Sequence, residues 1–105
     1  MKVTITARKF KARESLKAFI SEEVQKLKKF SDDIHEVETV LSFQANKEDM
    51  KIVDIMVLMP GATLMASDSG AEYEIVVRNV LDKIIRQVKK IKTKKEASVK
   101  QKAEL

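Results

Sequence analysis

The stretch "EVETVLSFQANKEDMKIVDIMVLMPGATLMASD", Glu36–Asp68, contains three strand-like segments in succession. In "EVETVLSFQ" Val37, Thr39, Leu41 and Phe43 alternate with residues of the other face, which is typical of a strand with one buried face. "MKIVDIMVLM" is apolar enough to be a buried strand, and "PG" is a turn signal before the strand "ATLMASD". With "ANKEDM" as a hairpin loop, the stretch predicts antiparallel strands.

A strand and two helices flank this stretch. "KVTIT" near the start is short, β-branched and alternating, as in a strand. In "ESLKAFISEEVQKLKKF" apolar residues recur at three- and four-residue steps, which predicts an amphipathic helix. Its start carries a weak signal, because Arg13 stands where a capping Ser or Thr is expected. After Gly70, a second helix is predicted from about Glu72 to about Lys95.

The predicted order is therefore β-α-β-β-β-α, an α+β fold with one four-stranded sheet and two helices packed on one face, in outline like a double-stranded-RNA-binding domain. Residues 1–95 form one domain, and residues 96–105 are expected to be a flexible tail with few apolar anchors. The other face of the sheet is expected to be wetter. The strand methionines are expected to fill the core, namely Met50, Met56, Met59 and Met65.

Composition narrows the class of protein. A chain of 105 residues with 44% hydrophobic and 35% charged residues is typical of one globular domain. It has no cysteine, which excludes disulfides, thiolate metal sites and cysteine nucleophiles and suits a reducing cytosol. The start "MKVTITARKF" lacks the apolar segment of a secretory signal, and no run is long enough to span a bilayer. We expect a soluble, cytoplasmic protein.

Positive charge is concentrated in the second helix. The last 28 residues carry a net charge of +7, whereas residues 1–77 carry −2. At 100° per residue, Lys83, Arg86, Lys90 and Lys94 cluster opposite an apolar stripe that includes Val80 and Ile84. A solvated face explains this spacing as well as a polyanion-binding surface does. Only Asp82 is acidic between Arg78 and Lys95, and this unrelieved repulsion favours phosphate binding.

Other candidate sites are weaker. Lys26 and Lys29 lie at the end of the first helix. Their position there is explained equally well by a favourable interaction with the helix dipole and by a contact to RNA. His35 has no partner constellation, so a surface role is expected, and "SDD" at Ser31–Asp33 is typical of a turn or cap rather than a metal site. Phe19 and Phe30 lie on the predicted core face, which favours recognition of folded RNA by shape and backbone charge over base stacking. No enzyme activity, metal or cofactor is expected.

The second helix also resembles a known family. "ASDSGAEYEIVVRNVLDKIIRQVKKIKTK", Ala66–Lys94, is similar without a gap to the corresponding part of the bacterial ribosome hibernation promoting factor and protein Y family. "LDKIIRQVKKIKTK" resembles the family's Leu-Ile-Asp-Lys-Leu-x-Arg-Gln-Leu-x-Lys-x-Lys signature. "KLKKF" resembles the end of the family's first helix, and "VTIT" its first strand. The resemblance covers the chain to about Lys95.

This resemblance implies a stress-time factor that lies in the decoding region of the small ribosomal subunit, across the mRNA and tRNA sites, and blocks initiation. It implies that both helices present basic residues to 16S rRNA. It also implies a protein that is monomeric off the ribosome and takes no small-molecule substrate. The positions that match the family's contacts are Lys83, Arg86 and Lys90, with Lys89 and Lys94, on the second helix, and Lys26 and Lys29 on the first.

The chain also departs from the family pattern. Glu72–Arg78 read Glu-Tyr-Glu-Ile-Val-Val-Arg, where the family usually has Asp-Met-Tyr-Ala-Ala-Ile-Asp. The chain ends at Leu105 and so resembles the short form, which lacks a second, dimerisation domain; of the short forms, some promote ribosome pairing and others prevent it, and we expect the former. Two alternatives stay open: a generic double-stranded RNA binder, and an adaptor whose basic helix meets an acidic protein.

Overall fold

The computed structural model describes residues 1–44 and 50–104, with side chains described through Ile91. The element order β-α-β-β-β-α and the α+β class confirm the prediction. The elements are β1 (Lys2–Ala7), α1 (Glu14–Gln25), a 3-10 segment (Lys26–Lys29), β2 (Glu36–Gln44), β3 (Met50–Met59), β4 (Ala62–Gly70) and α2 (Tyr73–Glu104).

The four strands form one sheet in the order β1-β2-β3-β4. β2, β3 and β4 are antiparallel neighbours, as predicted, whereas β1 runs parallel to β2. A parallel pair needs a crossover connection, and α1 supplies it. Met59 pairs directly with Ala62, so Pro60 and Gly61 form a two-residue turn. Gly61 has a φ of 74°, a conformation that glycine adopts without the strain a side chain would add.

Both helices cover the same face of the sheet and bury one apolar core against it. On α2 the stripe Val77, Val80, Ile84 and Val88 is at most 1% exposed. Every second residue of each strand points to this face of the sheet, and about every third or fourth residue of the helix points toward it. These two sets of side chains pack against each other in the core. The fully buried strand residues include Val37, Leu41, Val53 and Val57.

Helix boundaries differ from the prediction at two points, the end of the first helix and the end of α2. The first helix tightens into the 3-10 segment after Gln25. Its N-cap Arg13 makes no side-chain capping hydrogen bond, in agreement with the weak start signal. α2 runs to Glu104 instead of ending at about Lys95. The flexible tail at residues 96–105 stays a prediction, since its side chains lie outside the described part. The predicted hairpin loop at residues 45–49 also lies outside the described residues.

The prediction that the strand methionines fill the core is wrong for three of the four. Met65 is 67% exposed and Met50 38% exposed. Met56 pairs with Met65 across the sheet, on the face away from the helices, and is half-buried. Only Met59 packs against the core. Because successive residues of a strand point to opposite faces, an almost continuous apolar run places half of its members outside.

Truncating the α2 stripe tests this packing. We expect Ile84→Ala to lower the free energy of unfolding by about 3 kcal/mol, because Ile84 is fully buried and the fold closes only part of the resulting cavity. Ile75→Ala is the matched control, since Ile75 lies on the same helix but is 55% exposed; its effect should stay within about 0.5 kcal/mol. Urea denaturation of both variants measures the difference, and equal effects would contradict the described core.

A buried hydroxyl offers a stabilising change. Thr39 is fully buried on β2, and its Oγ1 has no hydrogen-bond partner among the described residues. Thr39→Val keeps the shape of the side chain and removes the unpaired hydroxyl, so we expect the free energy of unfolding to rise by about 1 kcal/mol. Thr63→Val, at an exposed strand position, is the control and should change little. A loss of stability in Thr39→Val would show that the hydroxyl is paired.

Candidate nucleic-acid interface

The side of α2 opposite its buried stripe carries the cations that the sequence predicts as RNA contacts. Arg86, Lys89 and Lys90 are exposed. Burial of Val80 and Ile84 in the core fixes the rotation of the helix about its axis, so these cations stay on the solvent side. Asp82 is the single acidic residue between Arg78 and Ile91. The crest of the helix therefore presents positive charge to solvent.

Lys83 lies toward β4. Its ammonium donates to the carbonyl of Ser67 at 3.0 Å and lies 3.6 Å from a carboxylate oxygen of Asp68. One turn further on, the side-chain amide of Gln87 donates to the carbonyl of Met65 at 3.0 Å. These contacts hold α2 against the edge strand β4 and place Lys83 at the border of the positively charged side of the helix.

Glu23 is a buried carboxylate that bridges the two helices. It is 8% exposed and accepts from Lys26 on its own helix turn, at 2.6 Å, and from Nε of Arg78 on α2, at 3.2 Å. These two cations hold the pKa of Glu23 below its usual value, with the Lys26 hydrogen bond as the largest cause, although burial acts in the opposite direction. Lys26 and Arg78 are themselves exposed, so the network lies at the surface of the groove between the helices.

Two cations of α2 cover aromatic rings of the first helical region. The Arg78 guanidinium lies 5.3 Å from the centre of the Phe19 ring, and the Lys89 ammonium lies 5.3 Å from that of Phe30. Such contacts are favourable because the ring face is electron-rich. They hold α1 and the 3-10 segment side by side with α2, so the predicted cations of both regions lie on adjacent ridges.

We name this region the basic surface. It consists of Lys26, Lys29, Lys83, Arg86, Lys89 and Lys90. Of these, Lys29, Arg86 and Lys90 form no ion pair with any side chain that the structure describes. Lys94, also predicted as a contact, lies outside the described side chains. A hollow between the two helices adjoins the surface and is lined by Glu23, Lys26, Arg78, Leu81, Asp82 and Ile85.

Sequence reasoning missed Glu23 and Arg78. A signal was present, because Glu23 follows Phe19 by four residues and Ile20 by three, and so lies on the apolar stripe of α1. A carboxylate on a buried stripe needs a cationic or hydrogen-bonding partner. Which cation satisfies it depends on the packing of α2, which the pattern of one helix does not reveal.

The remaining candidates are structural. His35 is exposed, and its backbone joins β1 to β3: its N–H donates to the carbonyl of Leu58 and its own carbonyl accepts from Lys2, each at 2.9 Å. The hydroxyl oxygen of Ser31 accepts from the backbone N–H of Asp33 at 3.3 Å, which confirms the predicted turn. Within the described ranges, no group of three or more His, Cys, Asp or Glu residues could hold a metal. No described helix is long and apolar enough to cross a membrane.

Comparison with known proteins places the chain. The family model described as "Sigma 54 modulation protein / S30EA ribosomal protein" matches residues 3–96, which include every element of the sheet, α1 and the basic part of α2. The chain belongs to this family. The family comprises binding proteins rather than enzymes, which is in line with the sequence-based prediction and with the resemblance noted above.

Relatives agree with this membership. The chain is 24% identical over 94 residues to the ribosome hibernation promotion factor of Lactococcus lactis subsp. cremoris, covering 90% of this chain and 51% of that protein. It thus spans about half the length of that relative. A ribosomal subunit interface protein from Coxiella burnetii has the same fold, with a TM-score of 0.79, 22% identity and coverage of 89% of this chain and 99% of the other. The N-terminal domain of Thermus thermophilus Protein Y superposes with a TM-score of 0.76 at 17% identity, covering 87% and 99%.

The Glu23 bridge predicts a pH-dependent stability. Because the pKa of Glu23 is lower in the folded protein than in the unfolded chain, its contribution is complete at neutral pH and is lost as the pH falls through the folded value. We expect Glu23→Gln to cost about 1 kcal/mol at pH 7, a modest figure because both cations are solvent-screened, and progressively less as the pH is lowered to 3.

Denaturant titrations at the two pH values measure this difference. Glu22→Gln is the matched control, since Glu22 is the preceding residue, is exposed and has no ion pair among the described side chains. Its effect should be small at both pH values. A Glu23→Gln cost that is the same at pH 7 and pH 3 would show that packing rather than charge holds the bridge.

Proposed function

We propose that this protein is a ribosome hibernation factor, which binds 16S rRNA in the decoding region of the small subunit through the basic surface. Bound there, it occupies the path of mRNA and tRNA and inhibits translation during stress or stationary phase. Membership in the S30EA family supports the ribosome as partner. The names of the matched relatives, a hibernation promotion factor and a subunit interface protein, point in the same direction. A cytoplasmic location follows from this proposal.

The observation that carries the proposal is the unneutralised charge on two adjacent helical ridges. Lys29, Arg86 and Lys90 form no ion pair with described side chains, and Asp82 is the single acid on the exposed part of α2 near them. A solvated face is normally laced with pairs of opposite charge, because they stabilise a helix while like charges destabilise it. A bound polyanion removes this repulsion, and each neutralised phosphate releases counterions.

The arrangement suits folded RNA. The two helices run side by side, so their cations form a broad surface rather than one row, and a broad surface can meet phosphates of more than one strand. No aromatic ring is free on this surface: Phe19 and Phe30 are half-buried and lie beneath Arg78 and Lys89. Backbone charge and shape are therefore the features that this surface can recognise.

Charge reversal tests the interface. We expect Lys83→Glu/Arg86→Glu/Lys90→Glu to abolish cosedimentation with small ribosomal subunits, since the crest of α2 would then repel phosphate. The three side chains are exposed, but Lys83→Glu also removes the contacts of Lys83 with Ser67 and Asp68, so thermal unfolding must first show that the variant is folded. Undiminished cosedimentation of a folded triple variant would contradict the proposal.

A milder pair of variants separates local contact from net charge. Arg86→Gln/Lys90→Gln and Lys2→Glu both lower the net charge by two units, but Lys2 lies on β1, outside the basic surface. For the double variant, we expect the slope of log affinity against log salt concentration to become shallower by about 1.5, as expected for two lost phosphate contacts. For Lys2→Glu, the slope should stay as in the wild type. Equal changes would mean that only overall charge matters.

The same proposal includes ribosome pairing. We expect the protein to shift ribosomes toward a dimer peak in a sucrose gradient, while the free protein sediments as a monomer. If a free RNA duplex binds as tightly as the subunit does, the protein is instead a generic double-stranded RNA binder. If it copurifies with no RNA at low salt, a protein adaptor is the better description.

A further inference from the structure

The connection between β1 and α1 is a second basic segment. Residues 8–13 read "RKFKAR", in which four cations surround Phe10 and no acid intervenes. All four cations, Arg8, Lys9, Lys11 and Arg13, are exposed, and none forms an ion pair with a described side chain. Lys9 has a φ of 64°, in the left-handed region that residues other than glycine adopt infrequently.

Three aromatic rings meet beside this segment. The Phe10 ring stacks on Tyr73, with centroids 5.6 Å apart and planes at 10°, and meets Phe43 edge-on at 5.7 Å and 75°. The Tyr73 hydroxyl donates to the carbonyl of Ser42 at 2.8 Å, which fixes the start of α2 to the end of β2. Lys51, the register partner of Phe43, places its ammonium 5.8 Å from the centre of the Tyr73 ring.

The rings line an open hollow. Its walls are Phe10, Phe43, Lys51 and Tyr73. Phe43 is 41% exposed, although it lies on the strand face that is buried elsewhere in β2. A large apolar ring left this open at the rim of a hollow is available for a ligand.

A second hollow shares three of these walls. Phe10, Lys51 and Tyr73 also line a depression that adds Lys11 and Arg13, together with the carboxylates of Glu72 and Glu74. Arg8 faces elsewhere, toward Glu38 and Asp54 on the other side of the sheet. Together the two hollows, which share the walls Phe10, Lys51 and Tyr73, are lined by aromatic rings, three cations and two carboxylates.

We propose that these two adjoining hollows, together named the aromatic–cationic hollow, form a second RNA-contact site that takes an unpaired nucleotide of single-stranded RNA. The base lies against the exposed ring of Phe43 at the Phe10 wall, and the flanking phosphates lie near Lys51, Lys11 and Arg13. The carboxylates of Glu72 and Glu74 accept hydrogen bonds from ribose hydroxyls or base amino groups.

An unpaired nucleotide is the ligand class that fits the lining of both hollows. Phosphate alone makes no favourable contact with the exposed ring of Phe43, whereas a nucleobase of any identity can stack on it. A duplex keeps its bases stacked inside and so cannot offer one to Phe43. A fully acidic peptide would match the cations but leave the rings uncovered.

This hollow is separate from the basic surface. Both helices begin at the hollow, at Glu14 and Tyr73, and run toward the basic surface. Lys26 lies about 18 Å farther along the first helical region, at about 1.5 Å per residue. The inference does not depend on the ribosome as partner, and the two sites can be inactivated independently.

The protein carries its own reporter for this site. Tyr73 is the only tyrosine, and tryptophan is absent, so intrinsic fluorescence comes from the wall of the hollow. We expect titration with a single-stranded pentaadenylate to quench Tyr73 fluorescence saturably. Inorganic phosphate and a short RNA duplex should leave the emission unchanged. Quenching should persist in Lys83→Glu/Arg86→Glu/Lys90→Glu, which removes the basic surface but not the hollow.

Two variants make the test specific. Phe43→Leu keeps an apolar side chain but removes the ring, and should weaken pentaadenylate binding about tenfold. Lys51→Gln should weaken it several-fold, and Lys2→Gln, a distant exposed lysine, should not weaken it. Thermal unfolding midpoints verify that each variant folds, and if Phe43→Leu does not, Lys51→Gln with its Lys2→Gln control carries the test.

The opposing outcomes are equally concrete. Absence of saturable quenching, or equal affinity in wild type, Phe43→Leu and Lys51→Gln, would overturn the proposal. Equally strong quenching by hexaglutamate would mean that the hollow takes an acidic protein segment instead of RNA. Loss of quenching in the triple variant would mean that the oligonucleotide binds the basic surface, which overturns the second site without affecting the proposed function.

Discussion

The burial of the α2 stripe against the sheet is the constraint on which the rest of the structure depends. Val77, Val80, Ile84 and Val88 are almost wholly inaccessible, and they set the rotation of the helix about its axis. A shift of the stripe by one residue would turn the helix by about 100° and drive charged side chains into the core. With the stripe in place, Arg86 and Lys90 can only point away from the sheet. The charge pattern of the surface is thus a consequence of the packing beneath it.

Glu23 supplies the second constraint, which is the position of α1 relative to α2. A carboxylate that is only 8% exposed needs a partner, and Glu23 has one cation on each side of the groove. The bridge also lowers the repulsion among the cations of the two helices, since Lys26 and Arg78 share one negative charge. Neutralising some cations internally leaves others, such as Arg86 and Lys90, to meet an external anion. Some cations of the two helices therefore stabilise the fold by pairing with Glu23, and others are left to bind an external anion.

Much of the fold follows from periodicity, because each element meets a single core. The alternation in Glu36–Gln44 and the 3.6-residue period of α2 are each sufficient to define an element and its buried side. The predictions fail where the surroundings of a residue are formed by side chains of another helix or strand. The run in Met50–Met59 does not reveal which methionines face the helices, and the partners of Glu23 appear only when α1 and α2 are packed together.

Of the two candidate sites, one could likewise be predicted from periodicity and the other could not. The cations of α2 could be predicted, since exposure follows from the position opposite the apolar stripe. The aromatic–cationic hollow could not, because Phe10, Phe43 and Tyr73 come from a loop, a strand and a helix start that are far apart in sequence. Phe19 and Phe30, the rings considered from the sequence, gave only weak support for base stacking. Both are covered by cations of α2, whereas Phe43 at the end of β2 is 41% exposed.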